Sequence, residues 1–192
     1  MRAPGPRCRQ APPGAAGGGR SLALVLVLLV VPAVAAQVAT TPERLKAAFL
    51  FRFPQFVEWP SAALAGRRSV DLCVIEDVAV EAALGELAAG EQLGGRPLRV
   101  RHVDEAVAPT CHVLYLPADY RGRRAMLRRL ERSPVLTVGD TSSFLDDGGI
   151  VELLQVDNRI RFHIDAGAAE RAGLRLSAQL LRLAVSVRRG PS

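Results

Sequence analysis

The side chains of this chain with chemistry to offer are three histidines, three cysteines and one short ladder of cations. His102, His112 and His163 lie far apart, and none has the close partner spacing of a helical zinc motif or a nucleophile elbow. Cys111 and His112 are adjacent, which suggests a nucleophile with its base. Neighbours on a strand point to opposite faces, however, so these two side chains do not meet. No glycine-rich dinucleotide loop or phosphate loop follows the first strand, and Lys46 is the only lysine. Carboxylates are scattered, apart from Asp146-Asp147 in a turn. With no positioned set of groups, the expectation is a protein that is not an enzyme. Two cysteines and one histidine leave a tetrahedral metal site a ligand short, so neither metal nor cofactor is expected.

Binding groups are easier to find than catalytic ones. Arg159, Arg161 and His163 alternate with Ile160, Phe162 and Ile164, so the cations share one face of a strand. They could meet a carboxylate, a phosphate or an acidic partner, or form the solvated face of an edge strand. The polar segment Gly139–Ser143 lies just beyond the carboxyl end of a strand, where open α/β sheets bind ligands, and it reads either as an anion site or as a plain turn.

Stepping along the chain shows what must hold these residues. Residues 1–20 are rich in Gly, Pro and Arg. Leu22–Val31 is an unbroken apolar run, closed by Pro32 and the small residues Ala33-Val34-Ala35-Ala36. That pattern predicts a secretory signal peptide over residues 1–36, cleaved after Ala35 or Ala36, and hence an exported protein. The run is too short for a membrane span, which needs about 20 apolar residues. Arg2, Arg7, Arg9 and Arg20 leave with the signal and no acid does, so the net charge falls from +6 to +2. No basic stripe interleaved with aromatics survives, which argues against nucleic acid as a partner. The arginine cluster 121–132 also carries Met126, Leu127 and Leu130, the pattern of a helix with a solvated outer face.

The remaining residues, 37–192, suit one domain. Cys8 is lost with the signal, and Cys73 with Cys111 form an even pair in an exported chain, most simply a disulfide. The bridge reads as a structural staple or as a redox switch. Short β-branched strands are expected at 69–75, 98–103, 111–116 and 135–138, separated by helical patterns at 78–89 and 121–132. Residues 150–155 and 159–164 flank Asp157-Asn158 as an antiparallel hairpin. A short helix over 166–172 and a final helix from Ser177 through Val187 close the chain. The class is α/β: one doubly wound, mostly parallel sheet with an added C-terminal hairpin and helices on both faces.

The most apolar segment is Leu45–Pro60, with four of the six phenylalanines and the only tryptophan. Thr41-Pro42-Glu43 opens a helix there as cap, first-position proline and first-turn acid. Pro54 should end or kink it near Phe53. Leu45, Ala48, Phe49, Phe53 and Phe56 fall on one stripe, expected in the core. Phe51 lies off the stripe and Trp59 beyond the break, which makes these two the interface candidates.

Several of these segments, in order, resemble the YfiR/HmsC-like family: Leu45-Lys-Ala-Ala-Phe-Leu-Phe-Arg-Phe with Phe56-Val-Glu-Trp-Pro60, Leu72-Cys-Val-Ile75, Cys111-His-Val-Leu-Tyr115, Pro134-Val-Leu-Thr-Val138, Gly148-Gly-Ile150, Phe162-His-Ile-Asp165 and Ala172-Gly-Leu-Arg-Leu-Ser177. The resemblance implies a periplasmic α/β protein, often a homodimer. It would repress a membrane-bound diguanylate cyclase by engaging the cyclase's periplasmic sensor domain, and so act on cyclic-di-GMP signalling and biofilm formation. Cys73 and Cys111 match the family's positions for a bridge. Some members carry a second cysteine pair near the Gly148-Gly149 turn, and this chain has none. The alternative from a different class is a periplasmic binding module for a small anionic ligand, held by Arg159, Arg161 and His163.

Overall fold

A sheet of eight strands runs through the computed structural model, which describes residues 41–157 and 159–190. The expected signal peptide lies outside the described residues. Five parallel strands make the sheet's centre: β2 (Val70–Val74), β4 (Arg96–His102), β5 (Val113–Leu116), β6 (Leu136–Gly139) and β7 (Val151–Val156). Their spatial order is β4-β2-β5-β6-β7. The first and third of the five are therefore neighbours, as a doubly wound sheet requires. β8 (Arg159–Asp165) returns antiparallel to β7, pairing Val151 with Ile164 and Val156 with Arg159. β3 (Gln92–Leu93) adds a short antiparallel strand beside β4.

Local chemistry explains where the helices start and stop. α1 (Pro42–Arg52) begins as expected, with the Thr41 hydroxyl accepting from the Arg44 amide and proline at the first position. Pro54 has no amide hydrogen to continue an α-helix, so the chain tightens into one 3-10 turn over Phe53–Phe56. Asp77 caps α3 (Val78–Ala88) and Asp165 caps α5 (Ala166–Arg171) through their carboxylates. Gly173, at φ +75°, lets the chain leave α5 in the left-handed region.

Alternation along the strands sorts the core into two layers. Leu72, Val74, Val113, Tyr115, Leu136 and Val138 face α1 and α3, whose Ala47, Leu50, Val80 and Leu84 are at most 1 % exposed. Cys73, Ile75, Leu114 and Leu116 face the other way, onto Met126, Leu127 and Leu130 of α4 (Arg123–Leu130). Each such leucine contributes about 1.5–3 kcal/mol by leaving water. Helices thus cover both faces.

Three elements depart from the sequence reading. The final helix, α6 (Ala178–Leu183), is capped by Ser177 but stops four residues short of Val187. Val185 and Val187 follow a strand's period of two, and β10 (Ser186–Arg188) pairs parallel to β8, Ser186 opposite His163. β8 is accordingly not an edge strand over His163–Asp165. β1 (Val57–Glu58) also pairs with β9 (Arg175–Leu176) in a separate two-stranded ribbon that the sequence did not suggest.

Candidate functional site

The break at Pro54 gives the first apolar segment its shape. Because the helix tightens there, Phe49, Phe53 and Phe56 spread along one wall of a groove instead of stacking into a single core stripe. Phe162 of β8 forms the floor, and Leu180 and Leu183 of α6 form the other wall. The groove has a volume of about 420 Å³ and a lining that is almost wholly apolar. Phe53 and Phe162 meet edge to face at 5.4 Å between ring centroids, and Phe49 lies 5.9 Å from Phe53. Such aromatic pairs contribute about 0.5–1.5 kcal/mol each beyond area burial, so the wall is stiff.

This corrects the expected core stripe. The fully buried positions of α1 are Ala47 and Leu50, because α1 packs on α3 and the sheet from that side. Phe53 is buried as expected, while Phe49 and Phe56 are half-buried and line the groove. Leu183 at its rim is 62 % exposed, and Val185 just beyond is 53 % exposed. Exposed apolar side chains grouped around a concave apolar surface are the mark of a docking site.

Arg52 is the only charged residue in the lining. Arg182 of α6 is exposed but lies outside the lining. Elsewhere on α1 the cations are used: Arg44 pairs with Glu86, and Lys46 with Asp140 at 2.5 Å. Among the described residues neither Arg52 nor Arg182 has a carboxylate within 4.0 Å.

The two interface candidates of the sequence part company. Phe51 is half-buried against the edge of the core, with the Arg52 guanidinium 5.3 Å from its ring centroid. Trp59 is only 9 % exposed and sets its ring edge-on to His112 at 5.9 Å. It is a core contact, because the β1–β9 ribbon folds this segment back over the domain. His112 is itself buried, and its Nδ1 accepts the Asp71 amide hydrogen at 3.0 Å. Burial pushes the imidazole's pKa below the usual histidine value, outweighing the attraction of Asp71.

Cys73 and Cys111 are bridged, their Cα atoms 6.0 Å apart and both side chains buried. The bridge ties β2 to the residue two positions before β5, across the neighbouring first and third strands. Arg159 and Arg161 are exposed on one face of β8, as the alternation predicted. His163 shares that face but is engaged, its Nδ1 lying 2.5 Å from the Ser186 hydroxyl. The buried Glu152 lies directly opposite it on β7. The cation pair is therefore brought together, and the histidine is held aside by β10.

The carboxyl end of the sheet is acidic. In the Gly139–Ser143 segment, Asp140 accepts from Lys46 and from the Tyr115 hydroxyl at 2.9 Å, tying α1 to the sheet. Burial, followed by the repulsion of Asp140, pushes the Tyr115 phenol far up, so it stays a donor. A cleft of about 380 Å³ beyond β2 and β4 is lined by Glu76, Asp104 and Glu105 as well as Arg101 and His102. Arg101 is engaged by Asp71 and His102 by Glu81. Neither place suits an anion.

A profile of the YfiR/HmsC-like family matches residues 43–185. The chain belongs to the YfiR/HmsC-like family. Among solved structures, it resembles a conserved domain protein from Vibrio cholerae with a TM-score of 0.52 and 16 % identity, covering 77 % of this chain and 60 % of that one. An ABC domain in complex with L-Trp from Streptococcus pneumonia aligns with a TM-score of 0.47 and 10 % identity, over 76 % of this chain and 60 % of that one. The chain thus spans about three fifths of the length of each of these structures. The Vibrio likeness shows the α/β fold. No curated protein matches the sequence. The groove's first wall lies in Leu45–Pro60 and its floor in Phe162–Asp165, both within the matched residues.

Proposed function

We propose that this chain is a periplasmic, non-enzymatic regulator that binds and represses a membrane-bound diguanylate cyclase through the cyclase's periplasmic sensor domain. In that role it would lower cyclic-di-GMP output and restrain biofilm formation. The observation that carries the reading is the open groove built from Phe49, Phe53, Phe56, Phe162, Leu180 and Leu183, an apolar surface shaped to receive a protein. Family membership supports this class of partner. No helix among the described residues is long and apolar enough to cross a membrane. The test is genetic and biochemical together. Deleting the gene should raise cyclic-di-GMP, and the tagged protein should co-purify with a membrane cyclase. Unchanged cyclic-di-GMP after deletion, across all of the host's cyclases, would sink the proposal.

A second reading keeps the small anionic ligand. It is favoured by one observation: Arg159 and Arg161 stand side by side on an exposed strand face with no carboxylate within 4.0 Å among the described residues. Guanidinium pairs of this kind hold carboxylates and phosphates.

A further inference from the structure

An apolar groove by itself does not say what fills it. Three features of this one narrow the occupant. The lining offers almost no polar atoms, so an extended segment laid along it would bury backbone N–H and C=O groups without partners. A helix satisfies its own backbone and presents only side chains, which is the helix-in-groove mode of recognition. The walls are stiff: Phe53 is 2 % exposed and locked edge to face on Phe162, so the groove is formed before anything binds.

The charges decide the rest. Arg52 lines the groove with no carboxylate within 4.0 Å among the described residues, and no acid lies in the lining. A second copy of this chain docked groove to groove would bring these rims together, arginine near arginine, and like charges across an interface are costly. An occupant whose apolar stripe is edged by carboxylates meets Arg52 favourably at the first wall. We infer that the groove formed by α1, its 3-10 extension, β8 and α6 binds an amphipathic helix of a partner protein, with apolar anchors seated on Phe49, Phe56 and Leu183 and an acidic side chain against Arg52. This inference rests on the regulatory reading above and names the surface and the chemistry of the segment recognised. The acid steers the partner and sets its orientation, and the apolar anchors supply the affinity.

The test uses two fluorescent helical peptides of about 15 residues, long enough to hold a helix. Both carry leucines at i, i+4 and i+7; one is flanked by glutamates and the other by lysines. By anisotropy the glutamate peptide should bind the full chain at least about tenfold more tightly than its twin. Phe49→Ala and Leu183→Ala should each weaken it by about tenfold, as anchor truncations do. Leu183 is largely exposed, so this variant keeps the fold even if Phe49→Ala does not. The variant Arg52→Glu should reverse the preference toward the lysine peptide. Absence of binding by either peptide, equal binding by both, or an unreversed preference overturns the inference. So does a homodimer that Leu183→Ala dissociates, because the groove would then be filled by a second copy. The cyclase's purified periplasmic domain separates the two claims. If it binds the wild type and Leu183→Ala equally, the groove is wrong and the regulatory reading stands. If it does not bind at all while the glutamate peptide does, the reverse holds.

Discussion

The ring of Phe49 meets that of Phe162 edge to face, 5.8 Å between centroids and 64° between planes, joining the first helix to the second strand of the hairpin. Residues more than a hundred positions apart thus share one wall and floor, and the groove exists only once β8 has paired with β7 and packed against α1. Its integrity therefore depends on the rest of the sheet, which the following measurements probe.

The Cys73–Cys111 bridge closes a span of 38 residues between neighbouring strands. In the chain-entropy model a loop of that length is worth about 4 kcal/mol. The double variant C73S/C111S should lower the unfolding free energy by roughly that amount in urea titration. A loss under about 1 kcal/mol would show that the bridge does not restrain the unfolded chain, and would favour a redox role over a staple.

Gly139 has no room for a side chain. A Cβ there would lie 2.2 Å from the ring of Phe144, which is fully buried beside it. Gly139→Ala should cost about 1–3 kcal/mol through overpacking. Adding Phe144→Leu should recover part of the loss, a non-additivity that a double-mutant cycle in denaturant would reveal. Strict additivity would count against direct contact as the cause.

Acid should weaken the fold in two stages. His112 has its pKa lowered from 6.5 by burial, so the folded state resists a proton that the unfolded chain accepts. Stability from this source is complete above 6.5 and falls as the pH drops below it. Asp147 is pushed up by burial but more than compensated by hydrogen bonds from Arg124 and Arg123, leaving its pKa below 3.8. Its contribution is present above that value and is lost below it. Thermal melts of the wild type and His112→Asn between pH 7.5 and 5 should converge as the pH falls. A constant gap would mean that His112 does not titrate differently on folding.

For the anionic-ligand reading, Arg159→Ala with Arg161→Ala should abolish any rise in Tm produced by phosphate or a dicarboxylate. His163→Ala should matter less, because that ring is already engaged by Ser186. A ligand response unchanged in the arginine pair would rule out this face.

Much of the fold could be read from the chain because local and global signals agree there. Residues 70–74, 113–116 and 136–139 are short, β-branched and flanked by turns, and each is a buried parallel strand. Thr41, Pro42 and Pro54 marked the beginning and the break of α1. Val187 misled, since it continues the leucine pattern of α6 while it belongs to β10. Trp59 looked available because it follows the proline break; its burial comes from the β1–β9 ribbon, a pairing of two-residue strands too short to leave a pattern. The groove was half legible. The phenylalanines of its first wall were conspicuous, whereas Phe162, Leu180 and Leu183 reach it only through the topology.

Lys46, the chain's only lysine, has its ammonium held on Asp140 at 2.5 Å with 16 % of the side chain exposed. An acylating dye must break that pair before it reaches the nitrogen, so amine labelling of Lys46 reports how firmly α1 is docked on the sheet.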